Sequence, residues 1–316
     1  MASPPKIPDD VWLQIFAHLQ PQELAKAAAV CRSWHRVSRD ATLWRRLSCR
    51  PGRSLRKFFQ RAPHILAHLR QLRFFGTFHE PRVLTATGAV GKLGGPELRA
   101  LAKAAPALRE LALEDLQLAG SSADLPPQLT AMAIRDCEAP LDYLVGLAAA
   151  VKGLEQLCIG GKSLSSRSRF SFSALNALTD LRLHYVHRLS YRNLEKLPGE
   201  LGRRLRRLEL LQHNLQPPSR VIMNQAAAPP KEHAARMLQL IRKHCKHLQV
   251  FSWGDVSEER LEGVEELRQI RCSLLCIVVT GNKSAVKWKR LISEAPVQHQ
   301  NLEVRQDPDI ASWLMK

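Results

Sequence analysis

The chain has 316 residues, 45% of them apolar and 6% aromatic, with 47 Lys and Arg against 29 Asp and Glu for a net charge of +18. That apolar share supports a sizeable core and excludes disorder for most of the chain. No apolar run approaches the roughly 18–20 residues of a membrane-spanning helix.

The N-terminus has no apolar core of a signal peptide and the C-terminus no lipidation motif, so we expect a soluble protein of the cytoplasm and/or nucleus. In chain order, the first predicted element is a helix around Val11–Leu19. Asp10, Gln14 and His18 share one of its faces, while Val11, Trp12, Leu13, Ile15, Phe16 and Leu19 fill nearly all the rest. A unit of about 40 residues cannot cover so wide an apolar arc by itself. A second helix is predicted from Pro21, carrying Leu24, Ala27, Ala28, Val30, Cys31 and Trp34, since proline suits a first helical position. Asp40 is predicted to cap a short third helix with Leu43, Trp44 and Leu47. Residues 30–61 then hold ten Lys and Arg against Asp40 alone, about half of the net charge. Surplus apolar surface with a basic flank describes a docking unit.

From residue 69 onward the template L-x-x-L-x-L-x-x-N/C recurs. It occurs at Leu69/Leu72/Phe74, Leu108/Leu111/Leu113, Leu129/Met132/Ile134 and Leu154/Leu157/Ile159. It continues at Leu178/Leu181/Leu183, Leu205/Leu208/Leu210, Leu248/Phe251/Trp253 and Leu274/Ile277/Val279, with a partial copy at Leu302/Val304. The fourth-position residues are 39, 21, 25, 24, 27, 43, 26 and 25 apart. Alternate residues of a short strand point inward, and the first leucine packs beneath the turn leading into it. Helical periodicity is predicted at residues 97–105, 141–151, 232–247, 258–270 and 284–295. One strand and one helix per unit, stacked in parallel, make a curved α/β solenoid with strands on the concave side. The first long interval has room for one irregular repeat. The second, holding Pro217-Pro218 and Pro229-Pro230, reads as an exposed insertion at 216–230 followed by a helix. Residues flanking the sixth position face the concave side. The candidates for contact there are Arg73, Phe75, Glu114, Arg135, Arg182, His184, Glu209 and Leu211. That face is mixed and only mildly basic, so the positive excess lies mostly on helices and turns, as at residues 203–207 and 242–246. A solvated surface and a patch recruiting an acidic segment or nucleic acid are both compatible with those clusters.

Seven cysteines at irregular spacing do not make a disulfide framework. No nucleophile elbow, phosphate loop, zincin helix or dinucleotide fingerprint is present, and the glycine-rich run 88–95 reads as a loop. His244, Cys245 and His247, like Cys272 and Cys276, lack the paired spacing of a structural zinc site. We therefore expect no catalytic residue, cofactor or metal, and a chain that is not itself an enzyme.

The run Ile7-Pro8-Asp9-Asp10-Val11 with Ile15, Phe16, Leu19, Pro21, Leu24, Val30, Cys31, Trp34, Leu43, Trp44 and Leu47 closely resembles an F-box. Ile7 stands where leucine is usual, and Gln20 where an acidic or small residue is common. An F-box over residues 1–60 followed by leucine-rich repeats over 61–316 is itself a family architecture. The resemblance implies a substrate-receptor subunit of a Skp–cullin–F-box ubiquitin ligase. In that family the F-box docks on an acidic Skp adaptor, which connects to cullin and RING subunits, and the repeats hold a protein substrate. It assigns adaptor contact to Ile7, Pro8, Val11, Ile15, Leu24, Val30, Cys31 and Trp34. An adaptor-bound scaffold outside ubiquitin transfer is the second reading, and a basic nucleic-acid-binding solenoid the third. The basic runs lack interleaved aromatics, which disfavours single-strand stacking.

Overall fold

The computed structural model describes residues 7–19, 21–49, 63–76, 91–139, 143–161, 172–184, 191–211, 230–254, 266–267 and 269–279, and strand 301–306. Three helices begin the chain: α1 (Asp9–Phe16), α2 (Pro21–Ala28) and α3 (Arg32–Ser38), followed by a 3-10 turn, Ala41–Trp44. Asp9 and Asp10 lie in the first turn of α1, where the helix dipole favours negative charge. The predicted second helix is in fact two. It stops at Ala28, and Cys31 starts α3 as its N-cap, accepting a hydrogen bond from the Trp34 N–H at 3.5 Å. Asp40 caps as expected, accepting from the Thr42 backbone at 2.8 Å and its hydroxyl at 2.6 Å. Leu47, however, lies on a strand, β1 (Arg46–Cys49), and not on a helix.

The strands of the main sheet are β1, β2 (Gln71–Phe75), β4 (Glu110–Glu114), β6 (Ala131–Arg135), β7 (Gln156–Gly160), β8 (Asp180–His184), β9 (Arg207–Leu211), β10 (Val250–Gly254), β11 (Leu274–Val279) and β12 (Asn301–Gln306). They pair in that order, every pair parallel. A separate pair, β3 (Lys92–Gly94) and β5 (Gln117–Ala119), flanks the sheet at its start. The helices between strands are α4 (Pro63–Leu66), α5 (Gly95–Ala104), α6 (Leu147–Ala150), α7 (Tyr191–Leu201) and α8 (Pro230–His244). This is the expected α/β solenoid. Its core is the template itself. Fourth- and sixth-position residues from Leu72 to Leu210 are at most 4% exposed, and the first leucines from Leu69 to Leu205 at most 1%. Where Cys137 occupies the ninth position, its buried thiol lies within hydrogen-bond reach of the carbonyls of Leu113 at 3.3 Å and Arg135 at 3.2 Å.

Several expectations change. β2 pairs directly with β4, so among the described residues the 39-residue interval places no strand between them, and the irregular repeat expected there falls largely on residues 77–90, outside the described residues. The 43-residue interval likewise separates adjacent strands, β9 and β10. In the eighth repeat Leu275 pairs with Phe251 and Ile277 with Trp253, which moves the template back by two residues and makes Cys272, 8% exposed, its first position. Within run 88–95, Lys92–Gly94 forms strand β3 and Gly95 opens α5. The helix expected at 141–151 is reduced to Leu147–Ala150, while α7 had no predicted counterpart because Pro198 interrupts its pattern. Leu194, Leu197 and Leu201 still give α7 a buried stripe. The helix at 284–295, most of that at 258–270 and all of the insertion except Pro230 lie outside the described residues.

Candidate functional site

The N-terminal helices divide their apolar residues between two uses. Phe16, Leu24, Ala27, Val37 and Trp44 make an internal core, and the Trp44 ring N–H donates to the Ser38 carbonyl at 2.6 Å. Leu24, 2% exposed, is therefore a core residue, a correction to its assignment as a contact. Trp34 is half-buried, its ring centroid 4.6 Å from Trp12 and 5.4 Å from Phe16. The other assigned residues face outward. Val30 is 64% exposed, Ile7 46%, Ile15 45% and Val11 38%, and Pro8 and Cys31 are exposed too. Val11 and Ile15, four apart on α1, share a face. Leaving a large apolar side chain in water forgoes about 1.5–3 kcal/mol each. Exposed apolar residues grouped in so small a unit mark a contact surface. Arg32, Arg36, Arg39, Arg45 and Arg46 are exposed on the same module. Arg36 donates to Asp9 at 2.5 Å, tying α3 to the start of α1.

On the concave side, parallel register stacks equivalent positions of neighbouring strands about 4.8 Å apart. Ala112, Ala133 and Cys158 thereby form a row of small buried residues. Arg73 pairs with Glu114, which also meets Arg135 at 3.2 Å, and Phe75 lies half-buried beside them. Further along, the expected contact residues engage one another. Arg182 grips Asp180 with two hydrogen bonds, at 2.9 and 2.7 Å, and lies 3.8 Å from Glu209. His184 Nε2 is 3.0 Å from the second oxygen of Glu209. His184 is 2% exposed and Arg182 8%, so the expectation of an open face is corrected here to a buried charge network. Leu211, 2% exposed, packs with Cys276 and is likewise a covered residue. Burial alone would raise the Glu209 pKa, but the His184 hydrogen bond and the Arg182 charge outweigh it and hold the carboxyl below its usual value. Asp180 and Arg207, members of this network, were missed by reading only the residues that flank the sixth position. The third position points to the same face, and the same two-residue period would have found them.

Burial pushes the thiols of Cys49, Cys137, Cys245 and Cys272 up to about 12, which makes them poor nucleophiles. None of the seven cysteines forms a disulfide, and Cys31 alone among them is exposed. Among the described residues, no group of three or more His, Cys, Asp or Glu could hold a metal ion, and no helix is long and apolar enough to cross a membrane.

A family model described as F-box-like matches residues 5–50, which span the three helices and all of β1. Human F-box/LRR-repeat protein 12 is 27% identical over 149 residues, 46% of this chain and 43% of that protein. Its bovine counterpart is 25% identical over 148 residues, with the same coverage. Human F-box/WD repeat-containing protein 5 is 49% identical over 41 residues, 13% of this chain and 7% of that protein. The chain thus spans less than half the length of the F-box/LRR-repeat relatives it matches. An F-box-like module is thus joined to parallel strand repeats of leucine-rich pattern, an arrangement that makes the chain similar to the F-box/LRR-repeat proteins.

Proposed function

We propose that this protein is the substrate-recognition subunit of a Skp–cullin–F-box ubiquitin ligase, non-catalytic itself, working in the cytoplasm and/or nucleus. The observation that carries the reading is the set of exposed apolar residues on the F-box-like module: Ile7, Val11, Ile15 and Val30. A Skp-type adaptor would cover them, and the exposed arginines of the module would meet its acidic surface. Cullin and RING subunits follow through the adaptor, and the repeats hold a protein substrate. Buried, weakly nucleophilic thiols support a non-catalytic role, and seven cysteines outside any disulfide suit a reducing compartment. The test is adaptor capture by the full chain carrying Ile15→Glu and Val30→Glu. Both side chains are exposed, so folding is expected to survive while capture falls at least about 10-fold, as burying unpaired charge at an interface costs several kcal/mol. In the unmodified chain, adaptor binding should also shield Cys31 from maleimide. Full capture by the double variant, with Cys31 still reactive in the complex, would sink the proposal.

A further inference from the structure

A cavity of about 300 Å³ opens on the concave side where strands β7 to β10 begin. Backbone register builds it. The Thr179 carbonyl accepts from the N–H groups of Arg206 at 2.8 Å and Arg207 at 3.1 Å, and the Arg206 carbonyl accepts from Gln249 at 2.6 Å and Val250 at 3.0 Å. Thr179, Arg206 and Gln249 therefore stand side by side just before successive strands and line the cavity together with Gln156, the Thr179 hydroxyl donating to the Glu155 carbonyl at 3.4 Å. Its charged lining is three arginines, Arg182, Arg206 and Arg207, against Asp180. Asp180 and Glu209 lie close to Arg182 and Arg207, so the floor is close to neutral. Arg206 differs. It is exposed and has no ion pair among the described residues.

The turns leading into β9 and β10 extend that charge. Arg203 is exposed on the turn after α7, and Arg242, Lys243 and Lys246 are exposed at the end of α8 and just after it. The two turns touch, for a Cβ on Gly202 would lie 2.8 Å from the His244 carbonyl oxygen. Residues 233–250 contain no Asp or Glu. A polar cavity lined by three arginines against one aspartate thus lies beside a cluster of cations gathered from two repeats.

We propose that this cavity and the turns beside it bind an acidic segment of a protein partner, with an uncharged polar side chain of that segment entering the cavity. Its Asp or Glu carboxylates meet Arg206, Arg203 and Arg242. The inference rests on reading the solenoid as the substrate-holding part. The lining has no aromatic ring on which a nucleobase could stack, which favours a carboxylate-bearing peptide over a nucleic acid.

The test uses the full chain at about 150 mM salt, where long-range attraction is screened within about 8 Å. Fluorescence anisotropy is read with a labelled (Glu-Gln)4 peptide and with a labelled thymidine octanucleotide. Arg203→Glu combined with Arg206→Glu is expected to weaken peptide binding by about 10-fold or more, equivalent to about 1.4 kcal/mol. Arg70→Glu with Arg109→Glu, which reverses two exposed charges at the other end of the sheet, is expected to change it less than about twofold at this ionic strength. An equal loss in both variants, tighter binding of the octanucleotide than of the peptide, or no peptide binding by the unmodified chain would each overturn the proposal. Adaptor capture on the same preparations separates the two readings. Capture without peptide binding removes the cavity proposal alone, and peptide binding without capture removes the ligase reading alone.

Discussion

Gly161 follows β7 with φ +63°, and a Cβ there would press into the Asp136 carboxylate. Asp115 and Asp136 take the same left-handed step after β4 and β6, at φ 52° and 50°, because a short polar side chain tolerates it. Gly161→Ala adds strain and a clash, so it should cost about 1–3 kcal/mol. Urea unfolding is the check, and an unchanged midpoint would mean the turn relaxes freely. Glu209 makes a second prediction at this scale. Its folded pKa lies below the ordinary value, so the stability it contributes is present above the ordinary carboxylate range and is lost as pH falls through the folded pKa. Melting temperature should therefore drop more steeply between about pH 5 and pH 3 in the unmodified chain than in Glu209→Gln. Parallel profiles would show that the buried carboxylate is not linked to folding.

Each inner strand of the solenoid is held by its two neighbours and by one row of apolar side chains. Leu181, fully buried in β8, packs between the equivalent Leu157 of β7 and Leu208 of β9. Leu181→Ala should cost about 2–5 kcal/mol, the usual penalty for a cavity in a packed core. Amide exchange should quicken in β7 and β9 along with β8, since repeat stability is shared between neighbours. Protection lost in β8 alone would contradict a cooperative stack. Legibility also varied by element. Strands β2, β4, β6, β7, β8, β9 and β10 coincide with their template copies because three apolar positions in six residues mark a strand locally. β11 was displaced by two residues because Leu274, Leu275, Ile277, Val278 and Val279 offer two overlapping apolar patterns, and only pairing with β10 selects one. β1 has no complete template, and its neighbour β2 reveals it.

Across the whole molecule, β1 joins the F-box-like module to the solenoid. It pairs with β2, and Ile65 packs against the module's core beside Trp44. A chain starting at residue 61 would lack β1 and expose the backbone edge of β2, which invites association with other chains. One starting at 41 keeps that edge covered. Light scattering and melting should show the 61–316 chain aggregating and the 41–316 chain remaining monomeric, and equal behaviour would mean that β1 is dispensable. The sequence by itself determined the parts whose signals are local: the leucine period, the surplus apolar face of the first helices and the positive excess with its clusters. Tertiary structure alone decided how those parts are used. It assigned Leu24 to the core while leaving Val30 in water, because the way the helices pack against one another selects the buried face. It also closed Arg182, His184 and Glu209 into one network and set the turn at Gly202 against the one at His244. Strand periodicity states which face a residue takes, whereas parallel register across intervals of 27 and 43 residues determines which charges become neighbours.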